Sequence, residues 1–130
     1  MEDERLKNKS FIDAWKKAFS GIWYSIKTQR NLKVQLVIAV IVIMCAIYFK
    51  VNITEAIFLT FATMLVIITE VINTAIETVV DLCTDKFHPL AKIAKDVAAG
   101  AVTIMAICSI IVGIIIFMPK LLMYLKFFIK

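Results

Sequence analysis

The chain has 130 residues, 62% of them hydrophobic and only 19% charged, where a soluble domain carries about 25% charge, so water is not its main solvent. Three Gly and two Pro are too few to punctuate a many-turned β fold or several domains, which leaves a single all-α unit. The formal charge of +5 gathers before an apolar run, without the basic and aromatic interleaving of a nucleic-acid surface, so a membrane-facing basic end is expected and no nucleic-acid partner.

In chain order, Met1 to Lys9 is highly charged, with no short apolar stretch and cleavage site after it. No secretory leader is therefore expected. Over 10–28, Phe11, Ile12, Trp15, Phe19, Ile22, Trp23 and Ile26 recur every three or four positions while Lys16, Lys17 and Lys27 take other faces. This pattern predicts an amphipathic helix lying in the headgroup layer, where the two Trp bury their rings and the Lys reach phosphate.

A first transmembrane helix is expected over 31–50, uncharged from Val34 to Phe49. Asn52 or Thr54 then caps a second helix over 54–82, with Glu55 favourable in its first turn. A loop containing Pro89 leads to a third span over 92–118, uncharged from Val97 to Met118. Pro119 is expected to end it, leaving 119–130 as an interfacial tail in which Lys alternates with Leu, Met, Tyr and Phe. There is no internal repeat. Cys45, Cys83 and Cys108 lack metal-ligand spacing and read as free core thiols.

Three spans place the segment before the first helix and the loop between the second and third on one side. That side holds eleven of the fifteen Lys and Arg residues. The positive-inside rule makes it the cytoplasm.

The second span carries the chemistry. With Glu70 at zero and about 100° per residue, Glu77 falls near −20°, Asp81 near +20° and Asn73 near −60°. Three acids and an amide therefore share one stripe. An ionisable group inside a span costs about 2.5–3.5 kcal/mol at its centre, so such a stripe needs cations, water or metal as partners. Lys95 can supply one if the second and third helices form an antiparallel hairpin. Three readings remain open at this point: a salt-bridge network with no catalysis, a phosphoryl-transfer site with a carboxylate on Mg²⁺ and another taking a hydroxyl proton, and a small cation or proton-coupled transporter. Gly21, Gly100 and Gly113 form no phosphate loop. The small residues Ala94, Ala98, Ala99, Gly100 and Ala101 allow close helix approach, so subunits are expected to associate.

Glu70-Val71-Ile72-Asn73-Thr74-Ala75-Ile76-Glu77-Thr78-Val79-Val80-Asp81 resembles the signature of the bacterial diacylglycerol kinase family: an acid, Asn-Ser/Thr-Ala-Ile-Glu, then Val-Asp. Lys95-Asp96-Val97-Ala98-Ala99-Gly100-Ala101-Val102 resembles its second motif. Asp85-Lys86-Phe87-His88-Pro89-Leu90-Ala91-Lys92 is similar to the loop of its Gram-positive branch, the undecaprenol kinases. The likeness runs from about Phe11 to Pro119.

This resemblance implies a homotrimer of three-span subunits in the bacterial cell membrane, with active sites at subunit boundaries on the cytoplasmic side. It implies ATP and Mg²⁺ as cofactors, and a lipid substrate, undecaprenol or diacylglycerol. It makes Glu70 the general base on the lipid hydroxyl and Asn73 a polar contact at the phosphates or acceptor. Glu77 becomes a metal ligand, Lys95 a phosphate contact and Asp96 a contact at the nucleoside end. His88 falls near the nucleotide, and Gly21 gives it close access to backbone. One position departs: where the family has Glu before Arg-Asn, this chain reads Thr28-Gln29-Arg30-Asn31. Gln29 is thus a metal neighbour without charge, which also leaves open a non-catalytic assembly subunit.

Overall fold

The computed structural model describes residues 11–128, and among these every regular element is an α-helix: α1 (Phe11–Thr28), α2 (Arg30–Tyr48), α3 (Ile53–Cys83) and α4 (Pro89–Phe128). The charged start 1–9, Ser10 at the expected head of the surface helix, and residues 129–130 of the tail lie outside the described residues. Helices α2, α3 and α4 are each long and apolar enough to cross a bilayer.

In α1, Phe11, Trp15 and Phe19 stand one turn apart with ring centroids 6.0 Å from each other. Lys27 lies over Trp23 at 5.4 Å. The apolar face stays exposed, Trp15 at 54% and Trp23 at 59%, as suits a helix whose partner is the membrane interface. A single residue, Gln29 in extended conformation (φ −95°, ψ 117°), separates α1 from α2.

At its other end α2 closes in a Schellman motif: Val51 N–H donates to the Ala46 carbonyl and Lys50 N–H to that of Ile47. Lys50 takes the left-handed position (φ 49°) usually given to Gly. Asn52 then caps α3 in a full capping box. Its side chain accepts from Glu55 N–H, and Glu55 accepts from Asn52 N–H.

Helices α3 and α4 form the antiparallel hairpin on which α2 leans. Ion pairs tie both ends, Lys95 with Asp81 near the α3–α4 loop and Lys120 with Glu55 at the far end. Between them Leu59, Val66 and Asn73 are buried at intervals of seven along α3, and Ala98, Val102 and Ile116 are the buried apolar positions of α4. That is the seam spacing of helices crossing at a shallow angle. Of the small-residue run only Ala98 is buried, whereas Ala99 and Ala101 face outward.

The third span departs from expectation at both ends. It starts at Pro89, not 92, because Pro fits the first helical position and the His88 ring accepts from Leu90 N–H at 3.2 Å as a cap. Nor does Pro119 end it. The helix continues to Phe128, so the tail expected over 119–130 is helical as far as it is described. Proline removes one helix hydrogen bond, and the next turns are held from outside: Lys120 pairs with Glu55 at 2.9 Å, and Tyr124 stacks on Tyr48 and meets Phe49 edge-on.

Apolar faces alone do not drive association in lipid, so the hairpin depends on close fit. Ala98→Leu is expected to force α3 and α4 apart and to destabilise the fold by about 1–3 kcal/mol. SDS titration in detergent micelles, followed by far-UV circular dichroism, measures the shift.

Candidate functional site

The acidic stripe on α3 runs from buried to open as it approaches the α3–α4 loop. Glu70 is 1% exposed and Asn73 5%, Glu77 is half-buried and Asp81 exposed. At about 1.5 Å per residue, Glu70 lies about 26 Å along the axis from Ile53, near the limit of a hydrocarbon core about 30 Å thick. The rest of the stripe overshoots that core.

Glu70 is the anomaly. Neither carboxylate oxygen has a hydrogen-bond partner, and Gln35 Oε1 and Asn73 Oδ1 are likewise buried without a donor. The Gln35 and Asn31 side chains approach the Glu70 carboxyl from α2. A buried carboxyl whose oxygens accept no well-formed hydrogen bond, with two amides beside it, makes a place for a group that brings hydrogen, such as an alcohol. The sequence pattern singles out neither Asn31 nor Gln35. The signal for both is a pair of amides four residues apart at the head of an otherwise apolar span. Beyond Gln35 a cavity of about 140 Å³ continues among Ile38, Val42, Val66, Ala106 and Ile110.

One turn on, both Glu77 oxygens are occupied. Gln29 Nε2 donates to Oε2 at 3.1 Å and Asn73 Nδ2 to Oε1 at 3.0 Å. The structure thus brings Gln29, Asn73 and Glu77 together, with Gln29 as a donor. A cleft of about 660 Å³ under the loop is lined by Asp81, Lys86, His88, Lys92, Lys95 and Asp96 among others. Within it Lys95 pairs with Asp81 at 2.5 Å, and exposed Asp96 with Lys92 at 3.3 Å. Thr84 braces the loop by accepting from Lys86 N–H. Gly21 stands apart on α1, where a Cβ would meet nothing within 4 Å.

The arrangement places a lone carboxylate at the edge of the apolar layer and a mixed-charge cleft in the water-facing part of the same hairpin. For a divalent cation, Glu77 is the one carboxylate in the amide cluster, and no group of three or more His, Cys, Asp or Glu stands together among the described residues. Such a donor set fits Mg²⁺ carried in with phosphate oxygens, since that ion is usually bound by one or two carboxylates plus substrate phosphates.

A buried carboxylate whose oxygens accept no hydrogen bond weakens a fold. Glu70→Gln, which removes the charge and adds a donor for the neighbouring acceptors, is expected to raise stability by about 1–3 kcal/mol in the same SDS titration.

The model of the prokaryotic diacylglycerol kinase family matches residues 16–117. Undecaprenol kinase of Bacillus subtilis (strain 168) is 43% identical over 122 residues, covering 92% of this chain and 98% of that protein. Diacylglycerol kinase of Synechocystis sp. is 41% identical over 114 residues, 87% of this chain and 65% of the relative. The diacylglycerol kinase of Escherichia coli (strain K12) is 33% identical over 98 residues, 75% and 77% of the two chains.

Proposed function

We propose that this chain, which belongs to the prokaryotic diacylglycerol kinase family of membrane lipid kinases, transfers the γ-phosphoryl group of ATP to the hydroxyl of undecaprenol. The observation that carries the reading is Glu70, a buried carboxylate whose oxygens accept no hydrogen bond, at the depth expected for a lipid alcohol. The lipid hydroxyl donates to Glu70, which takes its proton as the oxygen–phosphorus bond forms and the bond to the ADP oxygen breaks. Asn73 and Gln35 orient the hydroxyl, and the apolar cavity beyond Gln35 receives the adjoining hydrocarbon.

The nucleotide occupies the cleft under the α3–α4 loop. Lys95 exchanges Asp81 for phosphate oxygens, Asp96 faces the nucleoside end, and His88 holds the head of α4 through Nδ1 while keeping Nε2 for the nucleotide. Glu77, with Gln29 and Asn73 beside it, is the residue that would hold Mg²⁺. Bound there, Mg²⁺ would offset the charge of the phosphates. For these residues the catalytic task is positioning and neutralisation, which is what phosphoryl transfer requires of a protein.

The distribution of basic residues supports a site on the cytoplasmic side of the bacterial plasma membrane. The outward face of Ala99 and Ala101 supports close packing between subunits, and the open side of the cleft supports a wall supplied by a neighbour. A homotrimer is the expected assembly. Crosslinking in mild detergent should give dimer and trimer bands, and a solely monomeric band would remove the shared site.

The B. subtilis relative, aligned over nearly its whole length, favours undecaprenol. The other relatives support diacylglycerol as the second reading. Labelled γ-phosphate from Mg·ATP is expected to pass to undecaprenol in preference to diacylglycerol in mixed micelles. In Glu70→Gln the rate should fall about 10²–10⁴-fold with ATP binding retained. Surviving activity would remove Glu70 as the base.

A further inference from the structure

We infer that Gln29 is a positioning residue that makes divalent-cation binding by this chain conditional on bound nucleotide. The inference rests on the kinase reading and concerns a residue that carries no charge. Gln29 is the N-cap of α2, yet its side chain makes no capping hydrogen bond. It turns away from the free N–H groups of the helix beside it. Instead its Nε2 reaches Glu77, 48 residues further along the chain.

The effect on Glu77 is specific. With Gln29 on one oxygen and Asn73 on the other, the carboxylate is held in place by two neutral donors and needs no cation to fix its position. The amides add no negative charge, so a bare cation entering here meets one carboxylate directly, with Glu70 enclosed behind it and near enough to interact with it electrostatically. The next acid toward the loop, Asp81, is engaged by Lys95. The acid toward the membrane, Glu70, is buried and faces the amides of α2.

Mg²⁺ and ions like it lose their water reluctantly and do not settle on one half-buried carboxylate. Nucleotide phosphates change this by bringing oxygens and charge of their own. Rotating the two amides would then turn their oxygens, in place of N–H, toward an ion shared with the phosphates. Because Gln29 is the corner between α1 and α2, the same hydrogen bond ties that corner to α3 while the cation is absent.

The probe is Mn²⁺, followed by electron paramagnetic resonance on the full chain in detergent micelles without lipid substrate. The unsubstituted protein alone is expected to bind no more Mn²⁺ than Glu77→Gln, and to bind it once a non-hydrolysable ATP analogue is added. Gln29→Glu, checked for helix content by circular dichroism, is expected to bind Mn²⁺ without nucleotide at least tenfold more tightly than the unsubstituted protein. In the double variant with Glu77→Gln the gain should vanish. Tight nucleotide-free binding by the unsubstituted protein, or no gain in Gln29→Glu, would overturn the inference. If neither protein binds the analogue, the kinase reading fails, while the nucleotide-free contrast between the two still decides the role of Gln29.

Discussion

Two cation–carboxylate contacts fix the register of α3 against α4, and everything of chemical interest hangs on that register. Lys95 meets Asp81 at one end and Lys120 meets Glu55 at the other. Shallow-crossing helices with aliphatic surfaces can slide by a turn at little cost in lipid, where apolar contact is no better with protein than with tails. Charged groups cannot slide so freely, because a slip would carry them from the water-facing ends into the apolar layer. A contact between exposed ends is worth little as stability. Its value here is alignment: it sets the register of the hairpin and puts Lys95 in the wall of the cleft.

Along that stripe one helix face passes through three environments in about 16 Å. Glu70 is enclosed and its oxygens accept no hydrogen bond, Glu77 is held by amides at the boundary, and Asp81 stands in the open. The same side chain type is thereby prepared for three tasks by depth alone. On the proposed reading the deepest acid meets the lipid, the middle one the cation and phosphates, and the outermost keeps Lys95 in place until nucleotide arrives. This division needs no additional domain, which is how 130 residues suffice for a membrane kinase.

Much of this was legible in the residue pattern. The spans follow from uninterrupted apolar runs, α1 from its period, and the shared face of Glu70, Asn73, Glu77 and Asp81 from helical geometry. A cap at Asn52 or Thr54, of which the structure uses Asn52, and the reach of Lys95 toward the acids also follow from sequence. What the pattern concealed involves contacts between distant segments. Gln29 stood out only as a carboxylate replaced by an amide, and its use as a donor to Glu77 depends on how α2 leans on α3. Asn31 and Gln35 were inconspicuous because two amides at the head of a span look like an interfacial fringe until α3 puts a carboxylate beside them. His88 shows its capping role only once Pro89 is seen to open α4. Pro119 was misleading because local propensity argues for a break, while Glu55 and Tyr48, far away in sequence, hold the helix together beyond it.

The continuation of α4 through Pro119 also relates the chain to the thickness of its membrane. A proline has no N–H to give, so the carbonyl of Ile115 has no partner within the helix. That carbonyl lies about one turn inward from the Lys120–Glu55 ion pair, a charged level that belongs in the headgroup layer. In a bilayer of matching depth, water satisfies it. A thicker bilayer would submerge it, at a cost of several kcal/mol for an unsatisfied backbone group in hydrocarbon, and a thinner one would bare the apolar turn below. Pro119 thus favours one depth for the end of the hydrocarbon, and it opposes vertical drift of the hairpin and of the buried carboxylate at its other end.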